Sequence, residues 1–325
     1  MIETVPVEDV PLRLIASLVA RQQEAARTAS AVVPAALTDA AVAEAHVERL
    51  LTRGHLGRVA RSSGEVVGVL LGRLDGDAAE LPAAGFAIDP AAPDPTRVLA
   101  ELYGELAPDL LGRGATRHYL AHLDTPHAVQ AVSDLGFGRI SYCGVRPVDA
   151  QVPTHPRAGG VTVRISTADD LDTVARLCRV EIDHRYVAPV FSPRPERERT
   201  LLELAEAHGE LEQRGGVHVI ATLDGTDVGV LTLGPTGIEP GLCPDDQPFI
   251  GETATVPAAR GRGIASAMVE TAMGWAADQG HAGVTVSFQP SNRVSRRFWL
   301  GAGFVPTGFW AVRRIPESYA ARPDH

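Results

Sequence analysis

Glu252-Thr253-Ala254-Thr255-Val256-Pro257-Ala258-Ala259-Arg260-Gly261-Arg262-Gly263-Ile264-Ala265-Ser266 is the stretch from which the rest of the chain can be read. Glu252–Val256 alternates in polarity as a strand does, Pro257 ends it, and the apolar spacing of Ser266–Ala277 predicts a helix. Between strand and helix, the glycines let the backbone approach an anion closely. The free N–H groups and positive dipole end of the helix supply donors to it, and Arg260 and Arg262 add charge. This is a phosphate-binding arrangement. A Gly-rich turn alone also precedes many helices for simple capping, so the residues around it carry the reading further.

Downstream, Val284-Thr285-Val286-Ser287-Phe288 reads as a strand and is followed by Asn292-Arg293-Val294-Ser295-Arg296-Arg297-Phe298-Trp299 and then Gly303-Phe304. Upstream, Thr167–Asp170 opens a helix running to about Asp183, and Arg197–Arg214 carries Leu201, Leu204, Ala205 and Leu211 at helical spacing. Val217–Leu223 and Val228–Leu233 flank the hairpin signal Asp224-Gly225-Thr226.

The first half repeats this order. Helices over Pro11–Arg27, opened by Glu8-Asp9, and Ala40–Leu51, opened by Thr38-Asp39, precede strands Arg58–Arg61, Glu65–Leu71 and Gly85–Ile88. A helix over Thr96–Leu111, a strand over Arg117–Leu123, a helix over His127–Leu135 and a strand over Phe137–Val145 complete it. Leu135-Gly136-Phe137 with Val145-Arg146, and Ala302-Gly303-Phe304 with Val312-Arg313, keep the same internal spacing, which indicates duplication. At 325 residues two domains are expected. The break falls in the Pro- and Gly-rich stretch Pro147–Gly160, giving domains 1–147 and 161–325 with a linker over 148–160.

The two blocks of the second half resemble the GNAT N-acetyltransferase superfamily. Arg260, Gly263 and Ala265 match its Gln/Arg-x-x-Gly-x-Gly/Ala motif. Asn292 to Trp299 with Gly303-Phe304 match its Asn-x-x-Ala/Ser-x-x-Phe/Leu-Tyr-x-x-x-Gly-Phe block. The resemblance covers about Val161–Pro316, and the first half only in architecture. It implies an α+β fold of two tandem GNAT-like domains, each a mixed, mostly antiparallel sheet flanked by helices.

It also implies acetyl-CoA as acyl donor, its pantetheine arm entering a gap between the fourth and fifth strands beside Thr253, Ala254, Thr255 and Val256. The pyrophosphate would lie on the N–H groups of Gly261, Arg262, Gly263, Ile264, Ala265 and Ser266, next to Arg260. Asn292 would hydrogen-bond the arm, with Ser295 near it. The family's tyrosine, proton donor to the departing thiolate, is replaced by Trp299, whose indole N–H donates a hydrogen bond but is no practical acid.

For a general base, Glu252 is the first choice, since it lies on the strand facing the acceptor. Asp183, His184 and Tyr186 follow the first helix of the domain, a segment that lines the acceptor pocket in the family, and any of them is placed to orient an amine. His218 reads as a packed or surface histidine within a strand. In the first half, Asp89-Pro90-Ala91-Ala92-Pro93-Asp94-Pro95-Thr96 stands where the glycines would be, and its prolines remove N–H groups a pyrophosphate needs. Thr125 and Val132 take the places of Asn292 and Trp299. A degenerate partner domain is expected.

Composition bounds the partners. The net charge of −10 disfavours nucleic acid. No apolar run of about 18 residues points to a membrane, and a cytoplasmic location is expected. Cys143, Cys178 and Cys243 are widely spaced, predicting free thiols and neither disulfides nor a metal site. All 30 basic residues are arginine, a bias of GC-rich genomes such as the actinobacterial ones. The leading expectation is therefore acetyl transfer to the amine of a small molecule, by a monomer or homodimer. A protein or peptide N-acetyltransferase and a non-catalytic acyl-CoA-binding module stay open as alternatives.

Overall fold

The computed structural model describes residues 1–151, 159–192, 195, 197–235, 239–316 and 318; most of the expected linker, residues 152–158, lies outside them. The chain forms two compact units. Unit 1 is Met1–Cys143 with Glu239–Pro244 and Pro306–His325, and unit 2 is Gly144–Ile238 with Asp245–Val305. The bulk of each half thus stays together, but the last strand and a short inner segment of the second half belong to unit 1.

In the first half the chain runs β1 (Ile2–Pro6), α1 (Leu12–Ala29), α2 (Ala40–Thr52), β2 (Leu56–Ser62), β3 (Glu65–Asp75), β4 (Ala78–Leu81), β5 (Phe86–Ile88), α3 (Pro95–Gly112), β6 (Arg117–Leu123), α4 (Pro126–Asp134) and β7 (Gly138–Pro147). The second half continues with β8 (Val161–Ile165), α5 (Leu171–Arg185), α6 (Leu201–Gln213), β9 (Val217–Leu223), β10 (Thr226–Gly234), β11 (Phe249–Thr255), α7 (Ile264–Asp278), β12 (Gly283–Phe288), α8 (Arg293–Gly301) and β13 (Val305–Arg314). Most expected elements are found within a few residues of their ends. β1, β4 and β8 were not foreseen: β8 gains its bonds from β9, beyond two helices, and β4 is only four residues long, closing a tight turn with β3 and pairing with β6 on its other edge.

Helix starts follow capping chemistry. Asp39 caps α2 by accepting from the N–H groups of Ala41 and Val42. Glu8-Asp9 do not open α1; they lie in a 3-10 turn, Val7–Asp9, and Pro11 is the residue before α1. α6 begins at Leu201 and not at Arg197, because Thr200 and Glu203 form a reciprocal capping box there.

In unit 1 the strands run β1-β2-β3-β4-β6-β13, with β5 paired to β3. β13 lies antiparallel to β6, from Gly308 against Leu123 to Arg314 against Arg117. Both faces of this sheet are covered. On β3, Val69 and Leu71 join Ile15, Leu18 and Val47 under α1 and α2, while Leu70 joins Leu99, Leu102 and Leu106 of α3. Unit 2 has the order β12-β11-β10-β9-β8. α5 covers one face through Val174, Leu177 and Cys178 against Ile220, Val230 and Ala254.

α7 meets unit 2 at Gly229, where an added Cβ would lie 3.1 Å from both Ile264 and Met268. Gly68 is its counterpart in unit 1, where a Cβ would collide with Val98 and Leu102 of α3 at 2.5 and 2.9 Å. In both units a helix presents residues four apart to a glycine on the sheet, so the duplication read from spacing recurs in the packing.

Candidate active site

The site begins where two parallel strands part. β11 pairs with β12 only at Phe249 with Thr285 and Ile250 with Val286, yet β11 runs on to Thr255. On its other edge β11 stays bonded to β10 through Thr253, Ala254 and Thr255. There Leu231 opposes Thr253 while Leu233 opposes Ile250, so β11 carries one extra residue, a bulge at Gly251-Glu252. The bulge turns β11 away from β12 and opens a slot whose β11 wall offers unpaired backbone groups. Gly251 is needed there: a Cβ would lie 2.7 Å from the Thr232 hydroxyl. The hydroxyl oxygens of Thr253 and Thr255 are buried without hydrogen-bond partners.

The loop after β11 is built to receive an anion. Gly261 and Gly263 have φ of 77° and 74°, the left-handed region that only glycine enters freely. Gly263 is the residue before α7 and no side chain caps that helix, so the first-turn N–H groups of Ile264, Ala265 and Ser266 have no acceptor within the helix. A Cβ on Gly261 would meet nothing within 4 Å. Arg260 folds back, its Nε donating to the Thr255 carbonyl at 3.2 Å, and so holds the loop's shape; Arg262 is exposed. The Val256 N–H donates to the Val228 carbonyl at 2.9 Å, ending the strand in register.

Asn292 precedes α8, and its side-chain oxygen accepts from the Ser295 N–H at 3.1 Å. That leaves its amide N–H₂ as the group with donor capacity to spare. Trp299 is buried at 5% exposure, edge-on to Phe298 at 4.9 Å and Phe304 at 5.3 Å between ring centres. Its counterpart Val132 is also buried, and Thr125 caps α4 as Asn292 caps α8. Position 299 is thus a core position of the duplicated frame, filled here by an indole.

On the α5 face of the slot stands Glu252. Its Oε2 accepts from the Thr232 hydroxyl at 3.2 Å and its Oε1 from Arg185 Nη2 at 3.4 Å. Arg185 also gives its Nε to Glu181 Oε2 at 2.7 Å. Burial pushes the Glu181 carboxyl up, opposed by Arg185 and aided by Glu252. His184 is exposed and Tyr186 half-buried at the end of α5; the residue between them is the one that reaches Glu252. Arg185 was missed in the sequence because a lone arginine at a helix end resembles any favourable C-terminal charge.

Behind Glu252, His218 is fully buried, its Nδ1 3.0 Å from Glu212 and its Nε2 3.2 Å from His208 Nδ1. Burial lowers both histidines, so each is neutral near pH 7. The Cys178 thiol is pushed far up by burial and by the Glu252 and Glu181 carboxylates.

Unit 1 repeats the frame without the cradle. Asp94 caps α3, accepting from the Arg97 N–H at 2.9 Å, and Pro95 follows it, so a fixed carboxylate sits where an anion would bind. Leu242 and Cys243 pack against Ala83, Ala121, Leu123 and Cys143. Glu239 accepts from the Ala83 N–H at 2.9 Å, and Gln23 Nε2 donates to the Gly241 carbonyl at 2.9 Å. The inner segment Glu239–Pro244 therefore packs in unit 1 against α1, the turn before β5, and β6. All three cysteines are free and buried. Among the described residues no helix is long and apolar enough to cross a membrane, and no three His, Cys, Asp or Glu side chains are grouped to hold a metal.

Residues 180–304 match the family described as Acetyltransferase (GNAT) family. No curated protein matches the chain in sequence. Among solved structures, a GCN5-related N-acetyltransferase from Sphaerobacter thermophilus aligns with a TM-score of 0.57 at 15% identity, over 96% of this chain and 95% of that one. A tandem GNAT protein from the clavulanic acid biosynthesis pathway aligns over 100% of both chains, with a TM-score of 0.53 and 15% identity. An acetyltransferase of the GNAT family from Colwellia psychrerythraea gives 0.51 at 13% identity, over 97% of this chain and 100% of that one. The chain has the α+β GNAT fold, and its full length aligns with a tandem member of that fold.

Proposed function

We propose that the protein is an acyl-CoA-dependent N-acyltransferase that moves an acetyl group from acetyl-CoA to the amine of a small molecule, with its site in unit 2. The observation that carries this reading is the slot: β11 leaves β12 after Ile250 and runs on to Thr255, toward an uncapped helix behind two left-handed glycines. A phosphopantetheine ligand fits these residues. The unpaired edge of β11 would hold an extended arm, the buried Thr253 and Thr255 hydroxyls would gain a partner from it, and the first-turn N–H groups of α7 would hold a pyrophosphate. Bound there, the cofactor supplies an activated acyl carbon.

The chain's own residues do the remainder. Glu252, on the bulge, accepts the proton that an incoming ammonium must lose before its nitrogen is nucleophilic, at a carboxylate oxygen held by Thr232 and Arg185. Asn292 and the α7 N–H groups fix the donor, and positioning supplies much of the rate when two reactants are held in attack geometry. Trp299, packed between Phe298 and Phe304, is no acid. Protonation of a departing thiolate, whose ordinary pKa is near 8.5, would then fall to solvent, at the cost of the roughly 10²–10⁴-fold that a general acid contributes.

The test is acetyl-CoA titration by calorimetry together with thiol release across an amine panel. One site per chain and thiol release with an amine support the reading; no binding at millimolar acetyl-CoA refutes it. The buried Trp299 favours one second reading, an acyl-CoA-binding module without catalysis, which thiol release with any amine would eliminate.

A further inference from the structure

Glu252 meets two elements besides its own strand, and what they present is uneven. From β10 comes the Thr232 hydroxyl, neutral and 3.2 Å away. From α5 come Cys178, Glu181 and Arg185, and farther back His218 on β9 and His208 on α6 sense the same carboxylate. The Cys178 thiol stays protonated and the two histidines stay neutral near pH 7, as burial dictates. Arg185 is therefore the permanent positive charge of this group, since a guanidinium does not deprotonate in proteins.

Its bonds are unequal. Arg185 Nε and Nη2 lie 2.7 and 2.5 Å from Glu181, one helical turn back on α5, whereas Nη2 is 3.4 Å from Glu252 across a sequence separation of 67 residues. The side chains of Arg185, Glu181 and Glu252 retain 40%, 25% and 32% of their exposure, so the trio lies at the slot's opening and not in the core. A guanidinium bonded equally and bidentately to Glu252 would occupy both carboxylate oxygens. Anchored on Glu181 instead, it orients Glu252 through one oxygen at long range, with Thr232 holding the other.

We infer that Arg185 is the positioning residue of the reaction: tethered by Glu181, it holds the Glu252 carboxylate at the slot to take up the amine proton and pass it to solvent. The role rests on the acyltransferase reading given above. It has a signature that mere scaffolding lacks, because Arg185 and Glu181 act on Glu252 with opposite signs. Removing the guanidinium makes Glu252 easier to protonate; removing the Glu181 charge frees the guanidinium for Glu252 and makes it harder.

The experiment measures wild type, Arg185→Met, Arg185→Lys and Glu181→Gln in two ways. One is the pH titration of the Glu252 carboxyl carbon in ¹³C-glutamate-labelled full-length protein, its resonance assigned by its loss in Glu252→Gln. The other is the acid limb of kcat/KM. The midpoints are expected to move in opposite directions in Arg185→Met and Glu181→Gln, and to stay near wild type in Arg185→Lys. The acid limb is expected to move with the midpoint, while KM for acetyl-CoA stays within about twofold, since phosphate binding draws on α7 and not α5.

Midpoints that do not move in opposite directions overturn the inference. The resonance needs no turnover, so this result stands whichever amine is the acceptor. A midpoint that moves while the acid limb does not removes Glu252 as proton acceptor, and Arg185's role with it. Loss of acetyl-CoA binding in the wild type is a separate failure, that of the acyltransferase reading itself.

Discussion

Gly263→Glu tests the proposed phosphate site at the left-handed glycine that precedes α7. Gly263 holds φ of 74° immediately before α7, so any side chain there costs about 1–2 kcal/mol of backbone strain. The carboxylate adds a negative charge beside the N–H groups that would receive the pyrophosphate. One like-charge pair about 4 Å apart at an effective dielectric near 20 is worth about 4 kcal/mol. That is about a thousandfold in affinity, a factor of ten being about 1.4 kcal/mol. Calorimetric titration with acetyl-CoA reads it directly, and Gly263→Ala separates the two terms because it carries the strain without the charge. The alanine variant should lose about 1–2 kcal/mol of stability and far less affinity than the glutamate variant. A folded Gly263→Glu protein that binds acetyl-CoA within about threefold of wild type would refute the placement of the phosphate site.

Glu252→Gln keeps the shape of the side chain and its bond from Thr232 but removes its capacity to take up a proton. Turnover should fall at least about tenfold with acetyl-CoA affinity unchanged, and equal turnover would take the carboxylate out of the mechanism. Trp299→Phe should leave turnover within a few-fold, whereas Trp299→Ala should cost about 3–5 kcal/mol in a denaturation experiment because the ring is buried against Phe298 and Phe304. His122 is buried, its Nδ1 donating to the Leu123 carbonyl at 2.9 Å with Nε2 unpartnered, and burial lowers it to about 4. Its folded value lies below its unfolded one, so the stability is fully present above pH 6.5 and is lost as pH falls toward 4. The loss is roughly 2 kcal/mol by pH 5. His122→Asn, which keeps the Nδ1-like donor, should flatten that part of the stability curve; an unchanged slope would show that His122 does not titrate there.

Order and identity of most elements were legible in the sequence because they rest on local rules. Asp39 caps a helix that starts at the next residue, Asp224-Gly225 turns a hairpin, and Gly261 and Gly263 sit where glycine adopts the backbone most freely. Elements that depend on distant partners were not legible. β4 is four residues long and takes its bonds from β3 and β6, and β8 exists by pairing with β9. The candidate site divides in the same way. Its proposed cofactor side is a continuous strand, turn and helix, readable at one place in the chain. Its acceptor side joins α5, β10 and β11, and the pair Arg185 and Glu252 has no signature in either residue's surroundings.

By itself the sequence determined the duplicated frame, the glycine-bearing loop ahead of α7 and the proline-bearing turn at Asp94-Pro95 that stands in its place in the first half, because glycine, proline and capping residues act over a few positions. Only the tertiary structure decided which residues complete each unit. β13 and Glu239–Pro244 belong to unit 1, where β13 supplies strand pairs to β6 and Leu242 fills the apolar space beside Ala121 and Leu123. Strand pairing and burial are contacts between segments far apart in the chain, and hydrophobic periodicity marks a surface as apolar without naming the surface that will cover it.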